Sequence, residues 1–163
     1  MLKQIYYSLI YPYLNYAILS WGNTYKTRLM KISTKQNKVV RAIFFANSRE
    51  SAKPFFQLLN LLSLENIFKF KCACLTYKII NKDPTIPEPL QDYITLSSSI
   101  HSYNTRYSTK QNILRKKVRT NYGKQTFEFV SSQIWEKVPE FIKNRNSFFS
   151  FKTYFKAHLL NQK

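Results

Sequence analysis

Arg28, Lys31, Lys35 and Lys38 stand three or four residues apart, and residues 1–49 contain no acid at all. A second acid-free stretch, residues 93–127, carries Arg106, Lys110, Arg115, Lys116, Lys117, Arg119 and Lys124. Ammonium and guanidinium groups in such blocks suit one chemistry above others, the neutralisation of phosphates with release of their condensed counterions. A merely solvated face would ordinarily mix signs and gain i,i+4 pairs, which both stretches forgo. Tyr103, Tyr107 and Tyr122 interleave with the second block, where their rings could stack on unpaired bases.

The rest of the reactive inventory offers little. Metal-assisted phosphoryl transfer needs carboxylates that converge on ions about 4 Å apart. The eight acids are Glu50, Glu65, Asp83, Glu88, Asp92, Glu128, Glu136 and Glu140; no two are adjacent and none forms an Asp-x-Asp pattern. No glycine-rich phosphate loop and no Gly-x-Ser-x-Gly elbow occurs. Cys72 and Cys74, one residue apart, would make a strained bridge closing almost no loop and read as reduced core thiols. A zinc site would need two further ligands, and His101 and His158 are distant in sequence. The expectation is a chain that does not catalyse alone, with no metal, no cofactor and no small-molecule substrate.

The elements that must position the cations are helical. Leu2, Ile5, Tyr6, Leu9, Tyr13, Tyr16 and Ala17 recur at helical spacing, interrupted by Pro12, which should kink or split the run. The uncharged stretch from Gln4 to Tyr25 is too polar for a membrane span or a signal segment and reads as a buried, tyrosine-rich core helix. From Thr27 to Ala46, with Thr24 or Thr27 as cap, Leu29, Ile32, Val39, Val40, Ile43 and Phe44 share one arc, and the four cations occupy an adjoining arc of about 80°. Pro54 to Leu62 predicts a short helix, and Ser63 caps a central one from Leu64 to about Ile80. Pro84, Pro87 and Pro89 stiffen a connector, and 95–112 reads as loop. Ile113 to Thr120 is either a strand or extended coil. Thr126 to Val138 predicts a helix with Val130, Ile134 and Trp135 inward, stopped by Pro139. Ser147 caps a last helix whose stripe is Phe148, Phe151, Phe155 and Leu159.

The fold class expected is mainly α, an irregular helical bundle with a basic, loop-rich segment and at most one short strand or hairpin. Its organisation reads as a helical region at 1–82, a proline-rich connector at 83–95, and a basic loop with C-terminal helices at 96–163. The 163 residues suffice for a sizeable core, the 17% aromatic share excludes a disordered tail, and two glycines argue against a hairpin-rich barrel. Twenty-six Lys and Arg against eight acids give +18, an excess that no fold needs and that a polyanionic partner would explain. The thiols fit a reducing, intracellular setting, in nucleus or cytoplasm.

Several short motifs share an order with one known family. The run Ile5 to Tyr16 closed by Trp21-Gly22, then Leu29, Gln36-Asn37-Lys38 with Arg41, and Pro54-Phe55-Phe56 with Leu59, resembles the segment just after the polymerase core in reverse transcriptases of non-LTR, jockey-like retrotransposons. The likeness continues through His101 to Arg106, Arg119-Thr120, Tyr122-Gly123-Lys124, Trp135 and Pro139, and ends at Ser147, Phe151-Lys152 and Leu159. It implies that residues 1–49 correspond to a thumb that grips template–primer duplex, and that the remainder helps hold RNA and target DNA. The family's Asp-Asp palm and its endonuclease have no counterpart here. Glu136 stands where Asn is usual and Thr126 where Ser is usual. The implied role is a nucleic-acid-binding remnant of an RNA-directed DNA polymerase, whose partners would be RNA, DNA or the rest of such an enzyme. A basic module docking on anionic membrane or acidic protein is the alternative, and so is a decayed fragment without function.

Overall fold

Pro12 has no N–H and cannot continue an α-helical ladder unaided. In the computed structural model, which describes residues 2–99 and 110–162, the chain adapts ahead of it. Helix α1 (Leu2–Ile5) widens into a π-helical turn at Tyr6–Ile10, closed by a bond from the Tyr11 N–H to the Tyr6 carbonyl, and α2 (Tyr11–Asn15) starts with Pro12 in its first turn. Ala17, at φ 45°, ends that run before α3 (Ile18–Trp21). The expected burial of this segment needs correction. Tyr6, Leu14 and Ile18 are buried, but Leu2, Ile5, Leu9, Tyr13 and Tyr16 face outward, Tyr13 and Tyr16 being 81% and 80% exposed. The π turn and the left-handed Ala17 shift the helical phase, so a count at 3.6 residues per turn selects the wrong face.

The long helices follow their apolar spacing. Helix α4 (Lys26–Ile43) starts after Tyr25, and no side chain caps it, so neither Thr24 nor Thr27 serves the expected role. Helix α5 (Lys53–Leu58) has Pro54 in its first turn and is followed by Asn60 at φ 53°. Helix α6 (Leu64–Ile80) spans the predicted stretch. The Ser63 hydroxyl accepts the Asn66 N–H at 3.4 Å, and Lys82, at φ 48°, follows the helix end. The proline connector contains a short helix, α7 (Glu88–Gln91). Beyond the undescribed residues come α8 (Phe127–Glu136), α9 (Glu140–Lys143) and α10 (Phe148–Asn161). The 113–120 segment is extended coil, with an isolated antiparallel bridge between Leu96 and Ile113. The structure is 64% helical with no strand among the described residues, which makes the fold mainly α.

Two compact units divide the chain, and the division falls inside α6 and α10. The first comprises 1–69 with 156–163. Its core includes Tyr6, Ile18, Val40, Leu61, Ile67, Phe68 and Leu159, and Asn66 and Gln57 donate to the carbonyls of Leu159 and Leu160. The second, 70–155, centres on packed rings: Tyr77 stacks on Phe151 at 4.4 Å, Phe151 stacks on Phe155 at 5.7 Å, and Trp135 lies tilted against Phe151 at 5.9 Å. Of the stripe that the spacing of the last helix predicts, Phe151 is fully buried, Phe155 and Leu159 nearly so, and Phe148 half-buried beside Tyr77 at 6.1 Å.

Candidate nucleic-acid interface

The first candidate surface lies on α4, in the first unit. A buried amide fixes this helix. Gln36 is 1% exposed; its Nε2 donates to the Tyr6 hydroxyl at 2.9 Å and to the Leu62 carbonyl at 3.0 Å, and its Oε1 accepts the Leu64 N–H at 2.8 Å. With Gln36 and Val40 inward, Arg28, Lys31, Lys35 and Lys38 are all exposed, on the arc that the sequence assigns them. At the far end of the helix the Phe44 ring stacks on Phe55 at 4.6 Å.

Among the described residues nothing acidic pairs with this ridge. The first acid of the chain, Glu50, accepts the Asn47 N–H at 3.1 Å, and its backbone carbonyl takes Arg41 at 3.2 Å. Among the described residues, none of the four ridge cations enters an ion pair. The arrangement works against the helix itself. Arg28–Lys31, Lys31–Lys35 and Lys35–Lys38 are like-charge neighbours, each costing about 0.2–0.5 kcal/mol. Lys26 and Arg28 sit in a first turn that holds no acid, where the helix dipole disfavours cations. Within the first unit twelve Lys and Arg stand against two acids.

The second candidate surface, in the second unit, is different. Tyr103, Arg106 and Tyr107 lie outside the described residues. Lys110, Arg115 and Lys116, expected to be free for phosphate, instead meet carboxylates of α8 and α9. Lys110 pairs with Glu140 at 3.6 Å, Arg115 with Glu136 at 2.5 Å and Lys116 with Glu128 at 2.6 Å. The bond to Glu128 raises the Lys116 ammonium above its ordinary value. A stretch acid-free in sequence is therefore not acid-free in space, because folding brings α8 and α9 alongside it. Lys117, Arg119 and Lys124 are exposed and form no ion pair among the described residues. Tyr122, 76% exposed, is displayed on a turn in which Thr120 Oγ1 accepts the Gly123 N–H at 3.1 Å and Thr126 Oγ1 donates to the Gly123 carbonyl at 2.8 Å.

The root of this segment is held by two residues whose roles the sequence did not signal. Lys143 is only 5% exposed; its Nζ donates to Asn112 Oδ1 at 2.8 Å and to the Lys110 carbonyl at 3.3 Å. Trp135 Nε1 donates to the Gln111 carbonyl at 2.9 Å. Burial pulls the Lys143 ammonium down to about 8, against the opposing pull of Glu140 and Glu136. Its position three residues after Glu140 is a weak sequence signal at best, since a buried lysine looks like any surface one in one dimension.

Elsewhere the reactive groups are quiet. Burial pushes the Cys72 thiol up to about 12 and that of Cys74 up to about 11. Among the described residues no three His, Cys, Asp or Glu side chains gather where they could hold a metal ion. No helix among them is long and apolar enough to cross a membrane. No family model, no curated protein and no solved structure matches the chain.

Proposed function

We propose that this chain binds the phosphate backbone of RNA or DNA through the exposed α4 ridge, without catalysing a reaction by itself. The observation that carries the reading is the exposed row Arg28, Lys31, Lys35 and Lys38, in no ion pair among the described residues and set on a helix that would be more stable without it. Phosphates are the partners that convert such a row from a cost into a gain, because each neutralised phosphate releases counterions. Lys117, Arg119 and Lys124 in the second unit supply further cations, with Tyr122 as the base-stacking ring. The resemblance to the region after the polymerase core of non-LTR reverse transcriptases gives the same helix the same task, gripping template–primer duplex. On that reading the chain is a nucleic-acid-binding part of such an enzyme.

Titration of a fluorescent duplex against salt tests this. Four phosphates neutralised on duplex predict a slope of log affinity against log salt of about −3.6. Replacing Lys31, Lys35 and Lys38 together by Glu should weaken binding to every sequence alike while the helical circular dichroism is kept. A flat salt dependence, or undiminished binding by the triple variant, would refute the proposal.

One observation favours a second reading, docking on an anionic membrane. The exposed residues Leu2, Ile5, Leu9, Tyr13 and Tyr16 are apolar and tyrosine-rich, a composition suited to a lipid headgroup region. Flotation with phosphatidylserine vesicles that leaves duplex binding untouched by the ridge substitutions would favour it.

A further inference from the structure

The three ion pairs formed along the basic segment's described residues follow an order. As the cations run 110, 115, 116 along the chain, their carboxylates run 140, 136, 128. The basic segment thus lies antiparallel to the α8–α9 edge and meets one carboxylate at a time, as it would meet successive phosphates of a strand. We infer that Glu128, Glu136 and Glu140 are specificity-determining residues, intramolecular stand-ins for phosphate that keep the basic segment closed to single anions and open it to a polyphosphate strand. The inference rests on the proposed nucleic-acid binding and assigns the second unit a conditional share in it.

The physics is a competition between a tethered carboxylate and an external anion. The Arg115–Glu136 and Lys110–Glu140 pairs are exposed, contribute little to stability and are displaceable: Arg115 and Glu136 keep 44% and 42% of their side-chain surfaces, and Lys110 and Glu140 keep 58% each. Glu128, 19% exposed, is the more firmly held anchor of the three. A lone phosphate that displaces one carboxylate exchanges anion for anion, against a rival whose effective concentration is millimolar or higher. A polynucleotide presents several phosphates at once and sheds its condensed counterions as they are neutralised, a gain no single anion offers. The segment need not lose its register when the pairs open. Lys143 and Trp135 hold its root through the carbonyls of Lys110 and Gln111 and the side chain of Asn112, and Leu114 donates to the Thr95 carbonyl at 2.8 Å.

The pair Glu136→Gln/Glu140→Gln frees Arg115 and Lys110 and touches only exposed side chains. The pair Glu88→Gln/Asp92→Gln makes the same change in net charge at exposed acids of the same unit, neither of them in an ion pair among the described residues. With a fluorescent 30-nucleotide poly(U), the first pair should bind about fivefold to tenfold tighter than the unmodified chain at 0.1 M salt, its salt slope steeper by about 1.4. The second pair should leave the slope unchanged. In the unmodified chain the Arg115 Nε–H resonance should move on adding poly(U) and stay in place with inorganic phosphate at matched ionic strength. Equal tightening by both pairs, or none by either, overturns the inference, as does an Arg115 signal that follows inorganic phosphate. Should the unmodified chain bind poly(U) with an affinity that the α4 ridge substitutions do not alter, the reading of the ridge falls while the comparison of the two pairs still decides the role of the carboxylates. No binding by any variant removes both.

Discussion

Gln36 Oε1 accepts the N–H of Leu64, the first residue of α6, at 2.8 Å, so a side chain from the middle of one helix satisfies an orphan donor at the start of another. The same amide gives its Nε2 hydrogens to Tyr6 and Leu62, so three groups in the first unit depend on it. Replacing Gln36 by Leu, similar in size, strands a buried N–H and a buried carbonyl, each costing about 1–3 kcal/mol. We expect urea unfolding to show a loss of about 3 kcal/mol. Tyr6→Phe removes only one acceptor and should cost about 1 kcal/mol. Since both changes act on one network, their effects should fall short of additive in a double-mutant cycle.

Gly22 is held by space rather than by backbone conformation. Its φ is an ordinary −69°, but a Cβ there would lie 2.5 Å from the Ile18 carbonyl oxygen and 2.5 Å from Cδ2 of Phe68. Phe68 is buried on α6 and cannot swing clear. Gly22→Ala should therefore cost about 1–3 kcal/mol as an overpacking change, read as a lowered thermal midpoint. Trimming the ring with Phe68→Leu should recover part of the loss in the double variant.

Stability should change sign in its pH dependence near pH 9. Burial holds Lys143 at about 8, whereas in the unfolded chain the amine titrates near 10.4. Between these values the unfolded chain binds more protons, so stability rises with pH, by up to about 1.4 kcal/mol per pH unit. The thiols act the other way. Their folded values of about 12 and about 11 lie above the unfolded 9.0, so from about pH 9 upward the unfolded chain sheds protons that the folded one keeps, and stability falls. Urea midpoints should climb from pH 8 to 9 and then turn over. Lys143→Met should remove the climb, and Cys72→Ala should soften the descent.

How much of this was legible in one dimension depends on the range of the interaction. The bounds of α6, the stripe of Phe151, Phe155 and Leu159, and the outward ridge of α4 all follow from spacing along a single helix, which chain geometry fixes locally. The face of the N-terminal run did not follow, because the π turn before Pro12 breaks the period on which the count relies. The neutralisation of Lys110, Arg115 and Lys116 could not follow either. Glu140, Glu136 and Glu128 lie between about a dozen and thirty residues further along, and only the packing of α8 and α9 beside the segment makes them neighbours.

The sequence by itself determined that this protein is helical, strongly cationic and furnished with one amphipathic helix whose charge has no local counterweight. Those properties depend on residue type and on separations of three or four. Tertiary structure alone decided which cations stay available. A charge remains free only if folding brings no opposite charge to it, and that is settled by contacts between elements distant in the chain. In the first unit none of the four ridge cations meets a carboxylate in an ion pair among the described residues; in the second, three glutamates close on the basic segment.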